Sequence, residues 1–190
     1  MPRKPRAEQP GAIYHVVVRG NSGQPIVVDD LDRREILRRL HKVGTSCGWE
    51  CPAYCLMDAH LHLVVRTPEA NLGQGMQQLA GGYAFYFNRR HGRYGHLFAG
   101  PYYAKAIVGE SHFVSACLYV VLNPVAAGLC SHPRHWLWSS YSETLESARA
   151  RDDEGLLLGL LDDEVTTARV RYRELVDEAV RDLPRQQVPG

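Results

Sequence analysis

Two β-rich runs, residues 49–57 and 60–66, are separated only by a short turn around Asp58-Ala59, and so short a connection joins strands as an antiparallel hairpin. Side chains alternate along a strand, so His60 and His62 share one face while Leu61 and Leu63 share the other. Two imidazoles side by side on a rigid element can give two nitrogen ligands to one metal ion. A strand with a polar outer face can equally carry two histidines with no such role. The elements around the hairpin order themselves. Residues 13–19 (Ile-Tyr-His-Val-Val-Val-Arg) read as a first strand, stopped by Gly20-Asn21-Ser22-Gly23. Asp29-Asp30 open a helix over 31–43 with Leu31, Ile36, Leu37, Leu40 and Val43 as its apolar stripe. A second helix runs from about 72 to 90, in which Gly81-Gly82 either weakens the helix or marks a close packing point. Residues 102–108 read as a fourth strand, and Ser111 caps a helix through 122. Strand, helix, strand, strand, helix, strand predicts an α+β fold, a ferredoxin/RRM-like antiparallel sheet with helices on one face and the other face open to a nucleic acid or metal centre.

At 190 residues the chain is long enough for one ordinary domain with an extension. The expected division is a body over 1–145 and an acidic, helical C-terminal extension over 146–190. Within that extension, 146–154 read as a linker, 156–161 and 165–180 as short amphipathic helices, and 184–190 as a disordered end. The aromatic run Trp136-Leu137-Trp138 is expected to pack on the body. No apolar run approaches a membrane span and the start, Met1-Pro2-Arg3-Lys4-Pro5-Arg6, has no secretory core, so no membrane partner and a cytoplasmic location are expected. Five cysteines (47, 51, 55, 117, 130) include no Cys-x-x-Cys pair and read as buried thiols, with Cys51 and Cys55 facing the same way on a strand. The net charge of +1 divides into +5 for residues 1–145 (15 Lys+Arg, 10 Asp+Glu) and −4 for 146–190 (7 against 11). A mildly basic body permits a nucleic-acid partner without demanding one.

A second element bears on the histidine pair. In Tyr119-Val120-Val121-Leu122-Asn123-Pro124 a tyrosine and an asparagine stand one helical turn apart, on one face of an apolar helix that Pro124 is expected to kink or end. A tyrosine phenol can attack phosphorus and conserve the bond energy in a covalent protein–DNA link, so the same site can rejoin strands. A divalent ion on the scissile phosphate would supply Lewis-acid polarisation. Two neutral imidazoles and one amide oxygen suit a single Mg²⁺ or Mn²⁺ with positions left for substrate oxygens.

Several ordered motifs carry a family resemblance over roughly residues 10–142. They are Gly11-Ala12-Ile13-Tyr14-His15-Val16-Val17-Val18-Arg19-Gly20-Asn21, Leu56-Met57-Asp58-Ala59-His60-Leu61-His62-Leu63-Val64-Val65, the stretch Tyr86-Phe87-Asn88-Arg89-Arg90-His91-Gly92-Arg93-Tyr94-Gly95-His96-Leu97-Phe98, and Tyr119 through Leu129, closing on Trp136-Leu137-Trp138-Ser139-Ser140-Tyr141. With these the chain resembles the single-tyrosine HUH transposases and, among them, the REP-associated tyrosine transposases. The resemblance implies His60 and His62 as the metal pair, Tyr119 as nucleophile, Asn123 as third ligand, and Mg²⁺ or Mn²⁺ as cofactor. It implies as substrate single-stranded DNA cut beside a small hairpin of the repetitive extragenic palindrome type, through a 5′-phosphotyrosine intermediate. It also implies a monomer rather than a helix-exchanged dimer. Two positions depart from the family: Asp58-Ala59 stand where Pro-Asn is common, and Leu118 where Arg is common before the tyrosine. A domesticated, inactive protein that still binds hairpin DNA fits the same motifs.

Plainer roles compete at each position. Tyr119 is one of 10 tyrosines, and a helical tyrosine is usually a packing residue. Tyr83 and Tyr86 are rival nucleophiles, but Phe87 and Arg90, neither an amide nor a carboxylate, stand one turn on from them. Arg33-Arg34 and Arg38-Arg39 sit among Asp29, Asp30, Asp32 and Glu35 and read as surface ion pairs. Arg89, Arg90 and Arg93 have no adjacent acid and are the expected phosphate contacts, with Arg3, Lys4 and Arg6 as a basic arm; Arg19 and Lys105, on the first and fourth strands, complete the expected nucleic-acid set.

Overall fold

The computed structural model describes residues 8–146 and 152–183, so Arg3, Lys4 and Arg6 of the expected arm lie outside the described residues, as do 147–151 of the expected linker and the end from 184. The strands are β1 (Ala12–Arg19), β2 (Glu50–Leu56), β3 (His60–Thr67) and β4 (Tyr103–Ile107), ordered β2-β3-β1-β4 with every neighbouring pair antiparallel. That order places β1 and β3 at the centre, as a ferredoxin-like βαββαβ unit requires.

Between β1 and β2 runs α1 (Asp30–Cys47), capped by Asp29, whose carboxylate accepts from the Leu31 and Asp32 amides, and closed by Gly48 in the left-handed region at φ 66°. Its buried face is Asp32, Ile36, Leu40, Val43 and Cys47; Leu31 of the expected stripe is exposed. The inward position at the first turn is therefore an aspartate. Asp32 is fully buried and accepts from the Val28 amide, the Arg90 guanidinium and the His91 ring, while Arg90 also bonds the Asp29 carboxylate at 2.6 Å. This network joins the start of α1 to the end of the helix that precedes β4.

That helix is α2 (Leu72–Met76) and α3 (Gly82–Arg90) joined by a π turn over Gln77–Gly81. One of its glycines is required by packing: a Cβ on Gly75 would lie 2.1 Å from the Trp49 ring, whereas one on Gly82 would meet only the flexible tip of Arg39. The Gly81-Gly82 pair stands at the end of the π turn, and a Cβ on Gly81 would meet nothing within 4 Å.

The sheet has two cores. Tyr14, Val16 and Val18 of β1, with Leu61, Leu63 and Val65 of β3, face α1, α2 and α3. On the opposite face, Ala53, Cys55, Met57, Val64 and Ile107 meet α4 (Glu110–Ala126), α5 (Tyr141–Glu146), α6 (Asp152–Leu161) and α7 (Val165–Asp182). The α+β ferredoxin-like class is as expected, yet helices cover part of both faces instead of one. The reason lies in β2 and β3, which carry apolar side chains on both faces and so need cover on both. From the extension, Leu157, Leu158, Ala168, Tyr172 and Val176 are each 0–2% exposed, so α6 and α7 complete the second core.

Three local expectations change. Cys51 and Cys55 do not share a face: the β2–β3 register shifts between Glu50 and Ala53, and Cys51 packs towards the first core while Cys55 lies in the second. All five cysteines are free thiols. Pro124 does not end α4, which continues to Ala126. Proline has no amide to offer the Val120 carbonyl, and the Asn123 side-chain amide donates there at 3.3 Å and to the Tyr119 carbonyl at 2.9 Å. Finally, Trp136 and Trp138 pack on the body along the β2 edge while Leu137 is exposed: the Leu56 amide donates to the Trp138 carbonyl at 2.8 Å and Cys55 bridges Ser139.

The Tyr172 hydroxyl is buried with no hydrogen-bond partner among the described residues. Tyr172→Phe should therefore leave the thermal midpoint unchanged or raise it, whereas Tyr172→Ala should cost about 3–5 kcal/mol by opening a cavity; equal losses from both, in denaturant melts, would show that the hydroxyl is engaged.

Candidate active site

Antiparallel pairing sets Val17 opposite His62, Arg19 opposite His60 and His15 opposite Val64, so His15, Arg19, His60 and His62 all project from one face of the central strands. Lys105 of β4 pairs with His15 and joins that face. Along this strip Arg19 and Lys105 are exposed, His15 and His60 half-buried and His62 nearly buried. The hairpin turn is pinned beside it: the Ala59 carbonyl accepts from the Gly20 amide at 2.8 Å, and Asp58 receives the Arg33 guanidinium at 2.6 Å. Asp58, one of the two departures from the family pattern, thus ties the turn to α1. The other, Leu118, is half-buried at the edge of the second core.

α4 brings the tyrosine to the histidines. Its Phe113, Cys117, Val120 and Val121 are buried against the sheet and extension, which turns Tyr119 outward, 55% exposed, at the rim. The Tyr119 ring lies edge-on to His15 at a centroid distance of 5.6 Å and to His62 at 6.1 Å, and His60 lies 4.9 Å from His62. His62 is nearly buried, and its Nδ1 lies 3.3 Å from His15 Nε2. The rival tyrosine Tyr83 is fully buried with its hydroxyl donating to the Ile26 carbonyl.

The electrostatics keep these imidazoles neutral. Burial lowers the His62 pKa to about 3, helped by His60, His15 and Arg19. Burial, then Arg19, lowers His60; burial, then His112 and Lys105, lowers His15. Neutral rings have a free nitrogen lone pair at physiological pH, which a metal ligand needs. Asn123 lies one turn beyond Tyr119 and spends its amide N–H groups on its own helix, so its Oδ1 is the atom left for a ligand role. No group of three His, Cys, Asp or Glu side chains forms a metal site among the described residues. The donor set that fits an ion here is the His60–His62 pair, with amide, phosphate or water oxygens for its other positions.

The expected nucleic-acid residues divide. Arg19 and Lys105 are exposed on the site face. Arg89 is exposed on α3, while Arg93 donates to Gln24 at 2.9 Å and lies over the Phe87 ring. Arg90 is committed to Asp29 and Asp32, whose hydrogen bonds raise its pKa, so it serves as an internal tie. Two residues of the site face escaped the sequence reading. His15 sits in the first strand at the right parity, but its partner strand was not legible; His112, on the exposed first turn of α4, acts on His15 through charge.

His62 gives a pH prediction. Unfolded, it takes up a proton below its ordinary 6.5; folded, it resists until about 3. Stability contributed by the neutral ring is thus present above pH 6.5 and lost as pH falls towards 3. Thermal midpoints should fall across that window less steeply in His62→Gln, and parallel curves would disprove it.

A family model described as IS200-like transposase matches residues 9–121, more than half of the chain. The solved structure of a REP-associated tyrosine transposase bound to a REP hairpin superposes with a TM-score of 0.65 at 16% identity, covering 80% of this chain and 93% of that one. A candidate transposase from Deinococcus radiodurans R1 is less similar, with a TM-score of 0.44 at 20% identity over 63% of this chain and 95% of its own. No curated protein matches. With its fold shared and its family model matched across all four strands and most of α4, this chain belongs to the IS200-like transposases.

Proposed function

We propose that this transposase nicks and rejoins single-stranded DNA beside small hairpins, with Tyr119 as the nucleophile. One observation carries the reading: a solvent-exposed tyrosine ring is held against two neutral, same-face histidines by a helix packed in its own chain's core. The Tyr119 phenolate oxygen forms a bond to phosphorus as the bond to the 3′ oxygen breaks. The phenolic proton is lost to solvent, and the departing oxygen takes up a proton to become a 3′-hydroxyl. The reverse attack by a 3′-hydroxyl releases Tyr119, so the phosphotyrosine link conserves the energy for strand transfer.

His60 and His62, with the Asn123 amide oxygen, would hold Mg²⁺ or Mn²⁺, and imidazole donors favour the softer Mn²⁺. Bound there, the ion would polarise a non-bridging phosphate oxygen. Arg19 and Lys105 flank the same face and would track the strand's phosphates, with Arg89 and Arg93, at and beyond the end of α3, as further phosphate contacts. Hairpin specificity of the REP type is supported by the fold-sharing transposase that holds such a hairpin. The tyrosine and both histidines come from one chain, which supports a monomer as the working unit.

A denaturing gel with a labelled hairpin-bearing strand tests the chemistry. Tyr119→Phe should abolish the covalent protein–DNA band, and chelation should remove it from the native protein. A covalent band persisting in Tyr119→Phe would assign the nucleophile elsewhere, and hairpin binding with no adduct in any metal would favour an inactive DNA binder.

The cations separate in a second experiment. Arg19→Ala and Lys105→Ala should each weaken DNA binding and lower the slope of log affinity against log salt by about 1. Arg90→Ala should leave that slope unchanged and lower the thermal midpoint, because the buried Asp32 loses a charge partner.

A further inference from the structure

The contact between His15 and His62 has the geometry of a directed hydrogen bond. The two rings are inclined by only 20° and their centroids are 5.6 Å apart. A five-membered ring with edges near the C–N bond length has a radius of about 1.15 Å. The 3.3 Å between His15 Nε2 and His62 Nδ1, extended by a radius at each end, accounts for that whole separation. The two nitrogens therefore lie on the line joining the ring centres. The rings meet edge to edge, close to one plane, with the in-plane lone pair of one aimed at the N–H of the other. Face-to-face stacking would put the nitrogens off that line.

One proton lies between the two nitrogens, and its position decides what the far nitrogen of His62 can do. If His15 donates, His62 carries its own proton on Nε2 and has no lone pair there. If His62 donates through Nδ1–H, its Nε2 is bare and available. We infer that His15 is a positioning residue: its Nε2 accepts the His62 Nδ1–H, locks the ring of His62 in place and leaves Nε2 as the free ligand nitrogen. His15 and His62 stand on neighbouring central strands, one pair out of direct register, so neither ring depends on a loop for its position. A histidine that binds a metal through one nitrogen is commonly held through the other by an acceptor in just this way. Both the direction of this hydrogen bond and its metal consequence rest on the reading of His60 and His62 as the metal pair, because a ligand role for His62 Nε2 is what places the shared proton on Nδ1.

Two measurements on the full chain test this. Ring ¹⁵N NMR of the metal-free protein, at a pH where the rings are neutral, should show His62 protonated at Nδ1. In His15→Phe, the proton should move to Nε2, the form free imidazoles prefer. In His15→Gln, whose carbonyl oxygen can accept, Nδ1 protonation should return. Mn²⁺ binding, followed by loss of the free-ion electron paramagnetic resonance signal, should weaken about 10–100-fold in His15→Phe and recover in His15→Gln. An Nε2 proton on His62 in the native chain would overturn the inference, as would unchanged Mn²⁺ affinity in His15→Phe. Equal losses of affinity in the Phe and Gln variants, with unchanged melts, would overturn it as well, since packing alone would then explain them. Native protein with the expected tautomer but Mn²⁺ binding indifferent to His60→Ala and His62→Ala would remove the metal pair and leave the His15–His62 bond standing.

Discussion

The ladder between β1 and β3 carries the rest of this molecule. Its register sets Tyr14, Val16 and Val18 beside Leu61, Leu63 and Val65 on one face, and His15, Val17 and Arg19 beside His60, His62 and Val64 on the other. Side chains alternate with a period of two, so a slip of one residue would turn the aliphatic face outward and drive the histidines into the first core. Core formation and site formation are thus one event. The hydrophobic layer that selects the register is also what holds three imidazoles together on the reverse side.

The second face is divided between packing and chemistry. Ala53, Cys55, Met57, Val64 and Ile107 are sealed by α4 and by the extension; along the same face the polar side chains of His15, Arg19, His60 and Lys105 lie at the edge of that cover. α4 spans that boundary. Its buried residues anchor it, and the helical repeat then leaves Tyr119 on the exposed rim, one turn ahead of Asn123. α7 backs the same helix with Tyr172 and Val176, so the acidic extension supports the element bearing the nucleophile. Asn123 adds to this by donating its side-chain amide to a carbonyl that Pro124 leaves unpaired, and the helix continues to Ala126.

Charge is organised just as locally. The α1 cap, the buried Asp32, Arg90 and His91 form an internal network far along the chain from one another, and it removes Arg90 from any surface role. Arg19 and Lys105, by contrast, stand in the strands of the site face, where they add a little to the burial that chiefly keeps the neighbouring histidines neutral. A cation at the end of a helix and a cation on an open strand look alike in a sequence. Only the acids that fold against them tell them apart.

From its residues alone the chain determined its class and most of its elements. The two-residue turn at Asp58-Ala59 forces a hairpin, the β-branched runs and the apolar helix spacing follow short-range rules, and the same rules put His60 with His62 and Tyr119 with Asn123. What lay beyond them was decided by long-range pairing. His15 became part of the site because β1 pairs with β3 in one register, and no local signal records a partner strand. Arg90 became structural because α1 and α3 meet end to end. The shift within β2 that parts Cys51 from Cys55 and the cover of the sheet's second face by the extension have the same origin. Each depends on a neighbour distant in sequence, whose buried area or hydrogen bond outweighs the local preference, and that neighbour exists only once the chain has folded.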